Sequence, residues 1–85
     1  MTSPDGVMPG MATSAQLDEL RAASGVEAER LFLTLMIAHH QGGLDMARGV
    51  LARTTVPQVI AIANGVIVTQ QADIDAMQQM LDVRA

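Results

Sequence analysis

The chain has 85 residues, enough for one small domain, and about half of them are apolar although only Phe32 is aromatic. Cysteine is absent, which excludes disulfides, thiolate metal sites and thiol catalysis. The net charge is −4, with five arginines and no lysine, so no basic face favours nucleic acid as a partner. No apolar run approaches the roughly 20 residues that a membrane span requires.

Residues 1–12 are predicted to form a flexible N-terminal arm, because two prolines and two glycines interrupt any periodicity. Residues 13–85 are predicted to form a single helical domain. Three capping boxes, which begin at Thr13, Ser24 and Thr55, mark the starts of its helices. They predict a short helix that ends near Ser24-Gly25, a long helix from there to about Arg53, and a second long helix from Pro57 to about Val83.

The two long helices are joined by only two or three residues, which forces an antiparallel hairpin. With the turn centred near Thr54-Thr55, residues whose numbers add to about 109 are expected at the same height, within about one helical turn. The fold class is therefore all-α. Apolar residues surround most of the last helix, so we expect a homodimer in which two hairpins form a four-helix core.

Both histidines of the chain fall on an apolar face of the first long helix. On a helical projection this face comprises Phe32, Met36, His39, His40, Gly43, Ala47 and Val50. The facing stripe of the last helix comprises Val59, Ala63, Val66, Gln70, Asp73, Met77, Met80 and Leu81. A polar layer of both histidines with Gln70 and Asp73 is thus predicted to cross the hairpin, with Asp73 in hydrogen-bonding or water-bridged reach of an imidazole. Gly43 would permit a close approach to this face, whereas Gly42 is left without a role.

The polar layer has two interpretations. In the first it is a hydrogen-bonded core layer, in which the aspartate and the glutamine hold the imidazoles and fix the register of the helices. In the second it is a metal site, because imidazole nitrogen together with thioether sulfur suits copper, above all the cuprous ion, while the carboxylate leaves zinc open. The candidate ligands are His39, His40, Met36, Met46, Met77 and Asp73.

A longer pattern of these residues resembles a known family. It reads Phe32-Leu-x-x-Met36-Ile-x-His39-His40-x-Gly-x-x-x-Met46-Ala47, followed by Gln70-x-x-Asp73-Ile74-x-x-Met77-x-x-x-Leu81. Over residues 10–83 it resembles the signature of domain-of-unknown-function family 305. The resemblance implies a ferritin-like helical bundle, an extracytoplasmic location after export, and copper binding through histidine and methionine as in some members. The family pattern has alanine at Gly43, glutamate at Asp73 and tryptophan at Met80.

The sequence therefore predicts a protein without enzymatic activity that sequesters or hands on a metal ion, copper being the expected one. The alternative is a structural or interaction module whose histidines only fix packing and register. A di-iron carboxylate oxidase is rejected, because no Glu-x-x-His occurs and the last glutamate of the chain is Glu29. Hydrolase chemistry is rejected too, since each serine lies in the arm or near a helix cap with no base beside it. No leader is recognisable at residues 1–5, so export is inferred from the resemblance only.

Overall fold

A computed structural model describes residues 10–85, and within them the chain forms three helices and no strand. They are α1 (Ser14–Ala22), α2 (Gly25–Leu51) and α3 (Pro57–Val83). The two long helices pack antiparallel against each other, and among the helices of residues 10–85 α1 contacts α2 and not α3. The all-α fold class and the hairpin are confirmed, with helix ends within about two residues of those predicted. None of the described helices combines the length and the hydropathy of a bilayer-spanning segment.

The capping box at Thr13 is confirmed. Its hydroxyl oxygen accepts a hydrogen bond from the backbone N–H of Gln16 at 3.1 Å, and the Gln16 side chain accepts one from the Thr13 N–H at 2.8 Å. The capping box predicted at Ser24 is wrong, since its side chain makes no cap hydrogen bond. At this point Gly25 adopts a φ of +59°, a left-handed conformation that redirects the chain between α1 and α2.

The capping box predicted at Thr55 is also wrong, and Pro57 explains why. Proline occupies the first turn of α3 as expected, and it holds the preceding residue, Val56, in an extended conformation. Val56 is therefore the N-cap, and no side chain caps α3. The turn is stabilised instead by the Thr54 hydroxyl, which accepts a hydrogen bond from the Val56 N–H at 3.1 Å.

Three cross-helix contacts set the register of the hairpin: Glu29 with Arg84, His40 with Asp73, and Gly43 with Gln70. In each pair the residue numbers add to 113, where the sequence predicts about 109. The difference is about one helical turn. At the observed register Met36 lies level with Met77, and not with Asp73 as the predicted count places it.

The core of the hairpin follows one seam on each helix, with alternating spacings of three and four residues. On α2 the seam is Leu33, Ile37, His40, Leu44, Ala47 and Leu51; on α3 it is Ala63, Ile67, Gln70, Ile74, Met77 and Leu81. The interior faces predicted from the sequence include some residues of this seam together with residues one position before it, so they are centred to one side of it. Consequently Phe32, His39 and Val50 of α2 and Asp73 and Met80 of α3 are exposed, although the sequence placed them inside.

The segment before α1 lies against α2. Gly10 has a φ of +89°, and a Cβ there would be 2.8 Å from the carbonyl oxygen of Ala38 and 3.0 Å from the Cα of Gly42. Gly42 therefore provides a surface without a side chain on which this segment packs. The rest of the predicted arm, residues 1–9, lies outside the described residues, and the boundary between arm and domain at residues 12 and 13 stays a prediction.

Candidate functional site

His40 is the one histidine of the core seam, and its hydrogen bonding determines which ring nitrogen carries the proton. Its side chain is 15% exposed. Its Nδ1 lies 2.8 Å from the carbonyl oxygen of Met36, one turn earlier on α2. Because a carbonyl oxygen can only accept, Nδ1 carries the proton and donates. In the neutral ring Nε2 then bears the lone pair and can act as a ligand or as an acceptor.

The Nε2 atom of His40 faces Asp73. Its distance to Oδ2 of Asp73 is 3.4 Å, and the aspartate side chain is 53% exposed. This confirms the prediction that Asp73 lies within reach of an imidazole, although the carboxylate lies at the edge of the seam. A lone pair and a carboxylate oxygen are both acceptors, so the pair is favourable only when a proton or another cation is shared between them.

Gln70 contributes a second acceptor close to this pair. Its Oε1 is buried and makes no hydrogen bond within the described part of the chain. Its Nε2 occupies space opened by Gly43, where a Cβ would come within 3.2 Å of it. Gln70 also precedes Asp73 by about one turn of α3. The sequence placed Gln70 in the polar layer but not among the candidate ligands, and only the structure reveals the unpaired oxygen.

His39 lies outside the seam and is exposed. Its ring is nevertheless close to that of His40, with centroids 5.9 Å apart in an edge-to-face arrangement. The two imidazoles therefore lie on adjacent faces of α2, one among core residues and one in solvent.

The three candidate methionines are placed unequally. Met36 and Met77 are half-buried and level with each other, and each lies four residues, or about 6 Å along the axis, from His40 or Asp73 on its own helix. Met46 is 68% exposed and lies six residues beyond His40, about 9 Å along the axis of α2. The structure thus gathers Met36 and Met77 near the His40–Asp73 pair and leaves Met46 apart.

Within residues 10–85, no three histidine, aspartate or glutamate side chains converge as a metal site. His40 and Asp73 supply one nitrogen and one carboxylate, and any further donor nearby would have to be a thioether or an amide oxygen. Only a soft or mixed donor set is thus within reach of this part of the hairpin.

Comparison with known proteins supports the same fold. The crystal structure of a DUF305 protein from Streptomyces coelicolor, described as secreted, is similar with a TM-score of 0.83 and 40% sequence identity. The match covers 91% of this chain and 48% of that one. Uncharacterized protein L153 of Acanthamoeba polyphaga mimivirus is 32% identical over 56 residues, which cover 66% of this chain and 37% of that protein.

The chain thus spans about half the length of the Streptomyces protein and little more than a third of the mimivirus protein. A family model, described as a domain of unknown function, matches residues 1–81. That match includes α1, α2 and nearly all of α3, and with them the His40–Asp73 pair and both neighbouring methionines. The chain belongs to the DUF305 family.

Proposed function

We propose that this chain is a metal-binding protein that sequesters or hands on copper, and that it works outside the cytoplasm without enzymatic activity. One observation carries the proposal. The hydrogen bond from Nδ1 of His40 to the Met36 carbonyl leaves Nε2 unprotonated in the neutral ring, and Nε2 faces Asp73 at the edge of the hairpin. A backbone carbonyl that fixes the tautomer and the orientation of the ring is the usual support of a metal-binding histidine.

The donors around His40 favour copper in its cuprous state. Thioether sulfur is a ligand for soft ions, and the half-buried Met36 and Met77 lie at the same height, about one turn from the imidazole. Asp73 supplies negative charge 3.4 Å from Nε2. His39 lies on the exposed side of α2, with its ring 5.9 Å from that of His40, and the proposal does not need it as a ligand. Met46 is too distant to join the same ion and would act only as an outer, transient ligand.

A structural module is the alternative, and the same geometry supports it. If a proton takes the place of the metal, Nδ1 donates to Met36 and Nε2 donates to Asp73, so both ring nitrogens are paired. The pair would then fix the register of α2 against α3, and the protein would act through its surfaces alone. The two functions differ in whether the apo protein binds a metal ion at a defined stoichiometry.

Isothermal titration of the apo protein with cuprous ion under reducing conditions distinguishes them. We expect saturable heat in the native chain and its loss in His40→Ala. His39→Ala is the matched control: it removes an adjacent but exposed imidazole and should retain most of the affinity. Absence of heat in the native protein, or equal affinity in the native and His40→Ala proteins, contradicts the proposal. Circular dichroism of each variant checks that the helices remain intact.

The extracytoplasmic location is supported by the description of the Streptomyces relative as secreted. Cell fractionation of the native host, with an antibody against the chain, would test the location. Recovery of the protein in the cytoplasmic fraction alone would contradict it.

A further inference from the structure

Each long helix carries a second seam beside its core seam. Moving every core position back by one residue gives another set with spacings of three and four. On α2 this set is Phe32, Met36, His39, Gly43, Met46 and Val50; on α3 it is Ile62, Val66, Thr69, Asp73, Ala76 and Met80. Much of it is exposed, with Met46 at 68% and Ile62 at 69%. Such spacing is that of helices packed in bundles.

The two second seams lie on the same side of the hairpin. Viewed from one end, the side chains of two antiparallel helices rotate in opposite directions along the chain. Because the two core seams face each other, a step back by one residue moves both seams toward the same side of the hairpin. Together they form one surface, here called the second face. Its position beside the core is consistent with the contacts of two of its members, Gly43 with Gln70 and Asp73 with His40.

The opposite side of the hairpin is polar. Positions one residue after the core seam include Gln41, Asp45 and Arg48 on α2, and four residues of α3 that form hydrogen bonds along the helix. These bonds join Gln71 to Asp75 at 3.0 Å and Gln78 to Asp82 at 2.9 Å. On the second face Asp73 is the only carboxylate. The charge that would make two copies of an acidic chain repel each other is thus directed away from this face.

We propose that the second face binds a second copy of this chain, so that two hairpins form a four-helix bundle. A second copy presents two adjacent antiparallel seams with the same spacing through the same residues, so a two-fold arrangement completes the bundle. The length of the Streptomyces structure agrees. This chain matches 48% of it, and the remainder is long enough for another hairpin of this size. In the bundle His39 leaves solvent and joins an interior that already contains His40.

The matched variants are Ile62→Asp and Val68→Asp. Both residues lie on α3 and are exposed to nearly the same degree, 69% and 71%, but Ile62 belongs to the second face and Val68 to the polar side. Sedimentation equilibrium without metal should show a dimer for the native chain and for Val68→Asp. In Ile62→Asp the dimer dissociation constant should rise at least about tenfold, because a carboxylate is buried without a partner.

A native chain that remains monomeric at high micromolar concentration overturns the proposal, as does equal association of the two variants. Because the chain has no cysteine, single-cysteine variants provide a second test that does not require a destabilising charge. A thiol in Ile62→Cys should react with maleimide more slowly as protein concentration rises, whereas the thiol in Val68→Cys should react at a constant rate. Equal concentration dependence at the two positions overturns the proposal. Since no metal is present, neither result depends on the copper site.

Discussion

The substitution Asp73→Asn separates the structural interaction at His40 from its ligand chemistry. In the neutral ring the Nε2 lone pair faces a carboxylate oxygen at 3.4 Å, so two acceptors oppose each other. An asparagine amide can place an N–H donor at the same position. In metal-free protein with a neutral His40 ring we therefore expect Asp73→Asn to stabilise the hairpin.

The expected size follows from the exposure of the site. A net hydrogen bond contributes about 0.5–1.5 kcal/mol, and the lower end applies because Asp73 is 53% exposed. For a domain of this size, about 0.5 kcal/mol corresponds to a rise in Tm of about 2–4 °C. When the His40 ring is protonated, the native carboxylate pairs with the imidazolium for about 0.2–1 kcal/mol. The effect of Asp73→Asn on stability should then change sign and become destabilising.

Thermal unfolding followed by circular dichroism, in chelator and at about pH 8 and about pH 5, on either side of the pKa of about 6.5 of free histidine, measures this reversal. Asp73→Ala is the control, because it removes the carboxylate without supplying a donor; the higher helix propensity of alanine contributes equally at both pH values, so the change in stability between them should be smaller than for Asp73→Asn. If Asp73→Asn does not raise Tm at about pH 8, or changes with pH no more than Asp73→Ala does, the assignment of the proton to Nδ1 is wrong. In the neutral ring Nε2 would then carry the proton, and it would have no lone pair with which to bind a metal ion.

Two further predictions concern Gly43 and the thioethers. The added Cβ of Gly49→Ala meets no atom within 4 Å, so this variant should gain about 1 kcal/mol in unfolding free energy from helix propensity. Gly43→Ala should gain less, because its Cβ displaces the Gln70 side chain. Urea unfolding of both variants measures the difference, and equal gains would mean that the contact with Gln70 is absent. Acid should weaken cuprous binding only in part between about pH 7.5 and about pH 5, since protons compete for imidazole and not for thioether. In Met36→Leu, Met77→Leu the loss should be nearly complete, and identical acid sensitivity of this variant and the native protein would exclude thioether ligation.

The local signals in the sequence were sufficient for the helices and their topology. Thr13 with Gln16, Pro57, and the short connection between the long helices define the hairpin without any tertiary information. The proximity of Asp73 to His40 was also predictable, because both are polar residues within apolar stripes at similar heights. To predict that two side chains meet inside a hairpin, the register has to be known only approximately, because a long side chain can span an error of about one helical turn.

The exact register of α2 against α3 was not predictable. If one helix slides by a turn along the other, apolar residues still face apolar residues, so the sequence pattern does not distinguish the two registers. The buried face could not be selected either. Each long helix has two adjacent apolar seams, so a projection centred between them includes exposed residues such as Phe32 and His39 together with buried Ala47. At Ser24 the cap motif was present in the sequence, but the side chain makes no cap hydrogen bond, and the next residue, Gly25, is in the left-handed conformation.

X-ray absorption at the copper edge of the cuprous-loaded protein would test ligation by His40 and the two thioethers, because it identifies the atoms bound to the ion. We expect nitrogen and sulfur among the atoms bound to copper, with the nitrogen contribution reduced in His40→Ala and the sulfur contribution reduced in Met36→Leu, Met77→Leu. His39→Ala, the neighbouring control, should leave the sulfur contribution unchanged. A set of bound atoms without sulfur, or one that His40→Ala leaves unaltered, would contradict this expectation.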